Sequence, residues 1–423
     1  MLRTYQIDGE KVDSIDLKSL VISKGIKVSN EVYKKFSSTN RIYPDPLTCN
    51  CFILPDKTVV QMTDIALHLN YLKSAMSLQN LKQMKYFLQM NTPFRLKVSD
   101  SGKPVLMHGE STVTEVEFLP ESHFYEQMTS SGMPYLGNAV LQGVDTLSFQ
   151  CLWACDYARA GYPCQFCYSG GVFEQLEKRG KPMPPVPSLR DAAEMTDYAV
   201  NREKVAKILQ LTGGSTMDTR AECALIRDYL KEIDSVAGLK NISGEVLIYT
   251  TPPADPSEID KVFAAGADRV ACSLEVWDEK LAQIITPGKW KFTTRKRHLD
   301  CQKYISKEYG PNKACSSFVV GLEPAKSFLE GAEYLASEGI VPIASVWIPF
   351  GRPVMGKMQA PGLDYYREVK EGLAEIYIKY GIEPPGDTGF NVCICRDTWN
   401  HRSEVSSNAT GEGCCEPKSM AES

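Results

Sequence analysis

The sequence predicts an α/β fold, because strand-like and helix-like segments alternate regularly from Asp145 to about Pro349. An apolar, β-prone run at 144–150 opens the series. Similar runs follow at 205–211, 244–249, 267–274, 316–320 and 340–347. Alternation of this kind is typical of a parallel sheet covered by helices.

Helical spacing recurs between these runs, which completes the repeating unit. The helical segments are 219–235, 256–265, 278–285, 294–307 and 325–337, and Asp255-Pro-Ser-Glu258 resembles a helix start. With the opening strand, the pattern makes six β/α units. We therefore predict a partial (β/α)6 barrel of the TIM type, in which the chemistry takes place at the carboxyl ends of the strands.

The length of the chain leaves room for additions to such a barrel, since it has 423 residues, of which 43% are apolar. We predict an N-terminal α+β accessory domain at 1–135, the barrel at 136–360, and a C-terminal helix with a cysteine-rich extension at 361–423. In the accessory domain, 57–62 and 112–118 alternate like strands, whereas 64–71 and 78–89 have helical spacing.

Charge and hydropathy exclude some classes of function. The formal net charge is −5, which does not favour a nucleic-acid-binding protein. The N-terminus lacks an apolar leader, and no run of about 18 apolar residues occurs, so we expect a cytoplasmic protein with no membrane contact. In a reducing compartment, the fourteen cysteines would be reduced or bound to metal.

Four of the fourteen cysteines lie within seventeen residues, directly after the opening strand. They are Cys151, Cys155, Cys164 and Cys167. Thiolates this dense on one loop indicate a metal or iron–sulfur site, because they are soft ligands. A zinc site made from all four cysteines is the alternative, since paired cysteines at these spacings can build a tetrahedral centre.

The cysteine loop resembles that of the radical S-adenosylmethionine (SAM) enzymes, and within them the biotin-synthase-like branch. In that family, three cysteines bind a [4Fe–4S] cluster whose fourth iron chelates SAM. The segment Cys164-Gln-Phe166-Cys167 matches the family spacing, but eight residues separate Cys155 from Cys164, giving an extended Cys-x8-Cys-x2-Cys motif. The preferred ligands are Cys155, Cys164 and Cys167. Cys151 is an alternative outer ligand, a buried strand-end cysteine or a thiol near the substrate.

Later strand ends carry further resemblances to the same family. Leu211-Thr-Gly-Gly-Ser215 resembles the glycine motif that binds the SAM amino group, although a plain turn also explains it. Ser273-Leu-Glu275, a Pro-Gly turn and an arginine follow in the family's order. The resemblance implies that Glu275 contacts the ribose or amino group and that Arg297 pairs with the carboxylate, with Arg295 as its alternative. The implied SAM-binding residues are Phe166, Thr212, Gly213, Gly214, Ser215, Glu275 and Arg297.

The resemblance implies a radical modification of a small-molecule substrate. An external reductant of the flavodoxin or ferredoxin type would reduce the cluster. Electron transfer to SAM would then usually give a 5′-deoxyadenosyl radical that abstracts hydrogen. One alternative is transfer of a methyl or aminocarboxypropyl group from SAM. A second is a zinc or iron–sulfur binding protein without catalysis.

Ten cysteines lie outside this loop, and six of them are candidates for other roles. Cys393, Cys395, Cys414 and Cys415 would form a second metal centre or hold a thiophilic substrate. Against this, the polar tail from about Ser403 is expected to be flexible. Cys49 and Cys51 are expected to have a structural or surface role.

Overall fold

The computed structural model describes residues 1–45, 47–64, 92–152, 154–167, 180, 185–348, 355, 358–386 and 392–410. Its N-terminal part mixes small sheets with two helices, α1 (Ser14–Lys24) and α2 (Asn30–Phe36). The strands here are β1 (Thr4–Ile7), β2 (Glu10–Asp13), β3 (Lys27–Val28), β4 (Cys51–Ile53), β5 (Val59–Gln61), β6 (Phe94–Val98), β7 (Pro104–His108) and β8 (Ser111–Glu115).

This N-terminal part has an apolar core of its own, which contains Phe52, Phe94 and Leu106. The strands predicted at 57–62 and 112–118 are confirmed as β5 and β8. The helices predicted at 64–71 and 78–89 fall on residues 65–91, which lie outside the described part of the chain.

The largest sheet has seven strands and holds the main core of the protein. They are β9 (Ala139–Gln142), β10 (Thr146–Leu152), β11 (Ile208–Gly213), β12 (Val246–Tyr249), β13 (Arg269–Ala271), β14 (Ala314–Val320) and β15 (Val341–Val346). From β10 to β15 each strand pairs in parallel with the next, whereas β9 pairs with β10 in the antiparallel sense. This arrangement confirms the α/β class, and the open sheet is consistent with a partial TIM-like barrel.

Helices follow the parallel strands and match most of the predicted segments. They are α3 (Asp156–Arg159), α4 (Leu189–Asp197), α5 (Thr219–Val236), α6 (Asp260–Phe263), α7 (Glu279–Ile285), α8 (Thr294–Tyr309), α9 (Ala325–Ser337) and α10 (Leu363–Tyr380). The carboxylates of Asp218 and Asp278 accept backbone N–H groups at the starts of α5 and α7. The helix predicted at 256–265 is shorter, because a 3₁₀ turn at Pro256–Ile259 precedes α6. None of the described helices is long and apolar enough to cross a bilayer.

The chain ends its described part with two short helices, α11 (Cys395–Asn400) and α12 (Arg402–Thr410). Our expectation of a flexible tail from Ser403 is therefore wrong for the residues up to Thr410. The physical reason is burial: Val405 is 1% exposed and belongs to the main core, and α12 packs against α10. Cys414 and Cys415 lie outside the described residues.

Candidate functional site

The cysteine loop begins at the carboxyl end of β10, and its cysteines differ in exposure. Cys155 precedes α3, and Cys155, Cys164 and Cys167 are all partly exposed. Cys151, by contrast, lies within β10, is 5% exposed and belongs to the main apolar core. The preferred triad is thus accessible to a ligand, whereas Cys151 occupies a core position.

The three triad cysteines lie close enough to influence one another electrostatically. Burial raises the pKa of the Cys164 thiol, and the positive charge of Lys289 opposes this effect. Negative charge on Cys167, Glu275 and Cys155 raises the same pKa further. A thiolate at Cys164 would therefore need positive charge nearby, which a metal cluster or Lys289 supplies.

A hydrogen bond and apolar contacts join the cysteine loop to residues that follow β13. The Gln165 N–H donates to the Ile285 carbonyl at 2.7 Å. Tyr157 stacks on Phe292, with ring centroids 5.4 Å apart. Phe166 packs against a small apolar cluster that includes Ile285 and Trp347. These contacts fix the position of the loop against the strand ends.

The glycine loop after β11 packs directly on the start of the cysteine loop. The Gly214 N–H donates to the Leu152 carbonyl and the Asp156 N–H donates to the Ser215 carbonyl, both at 2.8 Å. A β-carbon on Gly214 would lie 2.2 Å from the Ala154 oxygen and 3.0 Å from the Cys155 α-carbon. Only glycine permits this approach, so close packing explains the motif as well as a ligand would.

A cavity of about 120 Å³ opens at these strand ends. Its walls include Thr212, Gly213, Gly214, Ser215, Glu275 and Lys289. The residues that the sequence assigns to SAM on two separate strands therefore meet around one space. Arg297 and Phe166 are not part of this wall.

Glu275 has an uncommon backbone conformation at the edge of the cavity. Its φ is 71°, in the left-handed region that non-glycine residues seldom adopt. Its N–H donates to the Ser317 carbonyl at 2.9 Å, and its carbonyl accepts the Val319 N–H at 3.0 Å. Its carboxylate accepts a hydrogen bond from the Lys289 ammonium at 2.7 Å. The turn is thus fixed by β14 on one side and by Lys289 on the other.

The two candidate arginines on α8 have different surroundings. Arg295 lies over the Trp277 ring, 3.6 Å from its centroid, and donates to the Trp277 carbonyl. Arg297 points instead towards the helix that follows the glycine loop, donating to Thr219 Oγ1 at 2.9 Å. The Arg297 Nε atom is buried without a hydrogen-bond partner. A guanidinium with one unsatisfied nitrogen retains a donor for an anionic ligand group.

Sequence reasoning missed two charged residues of the cavity wall, Glu222 and Lys289. Glu222 lies in α5, is 4% exposed and accepts hydrogen bonds from Thr250 Oγ1 at 2.7 Å and from the Thr251 N–H at 2.8 Å. Burial raises the pKa of its carboxyl. An acidic residue on an amphipathic helix gives no sequence signal of burial. Lys289 directly follows the Pro-Gly turn after α7, and no sequence motif indicates a role for it.

The cysteines outside the loop do not assemble a metal site in the described residues. No group of three or more His, Cys, Asp or Glu side chains there could hold a single metal ion. Cys393 and Cys395 are buried, and Cys395 Sγ accepts the Ala344 N–H at 2.8 Å. Cys51 is buried in a small apolar cluster, and Cys49 is partly exposed.

The residues present fit a [4Fe–4S] cluster with SAM better than a single zinc ion. Tetrahedral zinc needs four ligands about 2.3 Å from one ion, but Cys151 belongs to the main apolar core, which leaves three cysteines on the loop. A cluster bound by three cysteines leaves room for a chelating ligand beside them. The polar groups in the wall of the adjoining cavity provide partners for that ligand.

Comparison with known proteins agrees with this chemistry. A family model described as "Radical SAM superfamily" matches residues 155–335. Bacteriochlorophyllide c C-7(1)-hydroxylase from Chlorobaculum limnaeum is 28% identical over 262 residues, which cover 59% of this chain and 64% of the hydroxylase. The chain thus spans less than two thirds of the length of that relative.

Three solved structures show distant likenesses to this chain. Methylornithine synthase has 13% identity and a TM-score of 0.40, covering 58% of this chain and 64% of its own. HydG, a maturase of the [FeFe]-hydrogenase, has 12% identity and a TM-score of 0.41, covering 58% and 51%. Coproporphyrinogen III oxidase from Escherichia coli, which is described as a radical SAM enzyme, has 16% identity and a TM-score of 0.32. The match covers 45% of each chain. TM-scores this low support no conclusion on their own.

The family match begins at Cys155 and contains the other two cysteines of the preferred triad, the glycine loop, Glu275 and Arg297. The matched segment thus includes the residues on which the resemblance rests.

Proposed function

We propose that this protein is an enzyme that binds a [4Fe–4S] cluster on Cys155, Cys164 and Cys167 and cleaves SAM reductively to modify a small molecule by radical chemistry. One observation carries the proposal: the glycine loop packs on Cys155, beside a cavity walled by Glu275 and Lys289. This arrangement puts a thiol-rich loop next to polar groups suited to a zwitterionic ligand.

Each residue in the proposal has a binding or positioning task. The three cysteines would hold the cluster, which when bound supplies the electron that breaks a carbon–sulfur bond of SAM. Thr212, Gly213, Gly214 and Ser215 would present backbone groups to the amino end of SAM. Glu275 would accept hydrogen bonds from its ribose or amino group. Arg297 would pair with its carboxylate, because a guanidinium forms two parallel hydrogen bonds to that group.

The finer assignments are part of the same proposal. We infer a (β/α)6 barrel of the biotin-synthase-like branch at 136–360, with an accessory domain at 1–135 and an extension at 361–423. We further propose that the protein is cytoplasmic and receives electrons from a flavodoxin or ferredoxin. Phe166 would support the cluster loop from its apolar pocket. A second centre near Cys393, Cys395, Cys414 and Cys415 stays a prediction.

The substrate is proposed only as a class. The hydroxylase relative acts, by its name, on bacteriochlorophyllide c. An identity of 28% over part of each chain does not carry that substrate to this protein. The class of small molecules follows from the resemblance to radical SAM enzymes, in which the chemistry takes place at the strand ends of the barrel.

The deciding experiment is anaerobic reconstitution with iron and sulfide, followed by dithionite reduction and EPR with and without SAM. We expect a reduced [4Fe–4S] signal that SAM perturbs in the wild type. A Cys155→Ala, Cys164→Ala, Cys167→Ala triple variant should lack it. Cys49→Ala, which changes a partly exposed cysteine outside the loop, serves as the control and should retain the signal. Tight zinc binding with no SAM-responsive cluster would refute the proposal.

A further inference from the structure

Lys289 holds a more central position in the site than its sequence context suggests. Its ammonium donates to the Ser273 carbonyl at 2.6 Å and to Glu275 Oε1 at 2.7 Å. Its side chain is only 17% exposed, and it lines the cavity beside the glycine loop. A buried lysine with two fixed acceptors is a charge of defined position.

The segment that carries Lys289 packs on the cysteine loop. A β-carbon on the preceding residue, Gly288, would lie 2.5 Å from the Tyr157 β-carbon and 2.5 Å from the Tyr162 carbonyl oxygen. Lys289 also lines the same cavity as Gly214, where an added β-carbon would lie 3.0 Å from the Cys155 α-carbon. The Lys289 ammonium is therefore held at the strand ends, beside the cysteine loop.

We propose that Lys289 is a positioning residue whose fixed positive charge beside the cysteine loop makes the bound cluster easier to reduce, while its hydrogen bond holds Glu275 at the cavity wall. This inference rests on the proposed function. Reduction adds one electron, taken from the external reductant, to a cluster already bound by three thiolates. A nearby cation stabilises that added charge, and net charge and hydrogen bonding are among the factors that set cluster potentials. In a poorly solvated site the effect is larger than in water.

Lys291 provides a matched control from the same turn. It lies two residues further on, is exposed, and sits 3.8 Å from the centroid of the Tyr162 ring. It is thus a lysine on the outer side of the same segment that contacts the cysteine loop. Its charge is screened by solvent and should have little effect on the cluster.

The test is a potentiometric titration of the reconstituted cluster, followed by EPR, without SAM. In Lys289→Met we expect full iron loading and a reduced-to-oxidised ratio at fixed potential that is about tenfold lower, or about 59 mV for one electron. Lys289→Arg and Lys291→Met should stay within about twofold of the wild type by the same argument. If Lys289→Met does not bind the cluster, the same titration is made on Lys289→Gln, which retains a hydrogen-bond donor towards Glu275 but has no charge.

The outcomes separate this inference from the function on which it rests. If Lys289→Met or Lys289→Gln binds the cluster and keeps the wild-type ratio of reduced to oxidised cluster, the role of Lys289 is refuted but the proposed function is not. An equal shift in Lys291→Met would also overturn it, since the effect would then be one of overall charge. A wild-type protein that binds no cluster overturns the proposed function, and this inference with it.

Discussion

Gly214 packs so tightly against Ala154 that a β-carbon at residue 214 would lie 2.2 Å from the Ala154 carbonyl oxygen. That oxygen belongs to the backbone just before Cys155, so the glycine loop and the cysteine loop cannot move independently. The contact links the proposed SAM-binding motif to the proposed cluster ligand through backbone atoms alone.

Gly214→Ala should therefore damage both loops. The added methyl group forces the backbone apart, and we expect the free energy of unfolding to fall by about 1–3 kcal/mol. Because Cys155 would be displaced, the iron content after reconstitution should fall as well. Denaturant unfolding and iron analysis measure the two effects. Gly362→Ala is the control, since a β-carbon there meets nothing within 4 Å and φ is −76°. Wild-type iron loading in Gly214→Ala would contradict the expectation.

The exposure of the cysteines separates Cys155 from Cys151 as the first ligand. Cys155→Ala should abolish the EPR-active cluster, because a thiolate ligand is lost. Cys151→Ala should retain the cluster and instead lower the free energy of unfolding by about 1 kcal/mol, as expected for a small cavity in a core. Iron analysis and urea unfolding on both variants make the comparison. A Cys151→Ala protein that loses its cluster would reinstate Cys151 as the outer ligand.

The two arginines of α8 should respond differently to truncation. Arg297→Ala should raise the SAM concentration for half-maximal EPR perturbation by about tenfold or more, since a charge-assisted hydrogen bond contributes about 1.5–3 kcal/mol. Arg295→Ala should leave that concentration unchanged. It should lower stability by about 0.5–2 kcal/mol through loss of its contact with Trp277. The reverse pattern would assign the carboxylate contact to Arg295.

His298 predicts a pH dependence of stability. It is 3% exposed, and burial, with a smaller effect from the charge of Lys289, lowers its pKa to about 3. The unfolded chain takes up this proton near pH 6.5, whereas the folded protein does not. Above about pH 6.5, His298 is neutral in both states and does not reduce the free energy of unfolding. As pH falls from about 6.5 towards 3, the free energy of unfolding decreases by at most about 1.4 kcal/mol per pH unit.

Urea unfolding at pH 7, 6 and 5 tests this prediction on His298→Gln. The variant should be less stable at pH 7 but should lose less stability than the wild type on acidification. His123→Gln, which changes an exposed histidine, is the control and should follow the wild type. Parallel losses in His298→Gln and wild type would exclude His298 as the source.

Local patterns in the sequence were sufficient for several features. The alternation of strands and helices predicted the parallel sheet, because burial on both faces of a strand and on one face of a helix leaves a periodic apolar signal. Helix α9 matches its predicted bounds, 325–337, for this reason. The cysteine spacing and the Gly213-Gly214 pair were likewise visible as short motifs, and the resemblance to the family favoured Cys155 as the first ligand.

The tertiary structure decided how charged side chains pair around the cavity. The Glu275–Lys289 ion pair depends on the left-handed backbone conformation of Glu275 and on the position of the turn after α7. The periodic pattern of apolar residues predicts neither of these features. Glu222 is buried only because the strand end at Thr250 and Thr251 lies beside α5. The burial of Val405 likewise explains why residues 403–410, which look flexible in the sequence, belong to a helix. Sequence periodicity thus determines which elements form, whereas the three-dimensional packing of strand ends determines which charges meet, because those contacts join residues far apart in the chain.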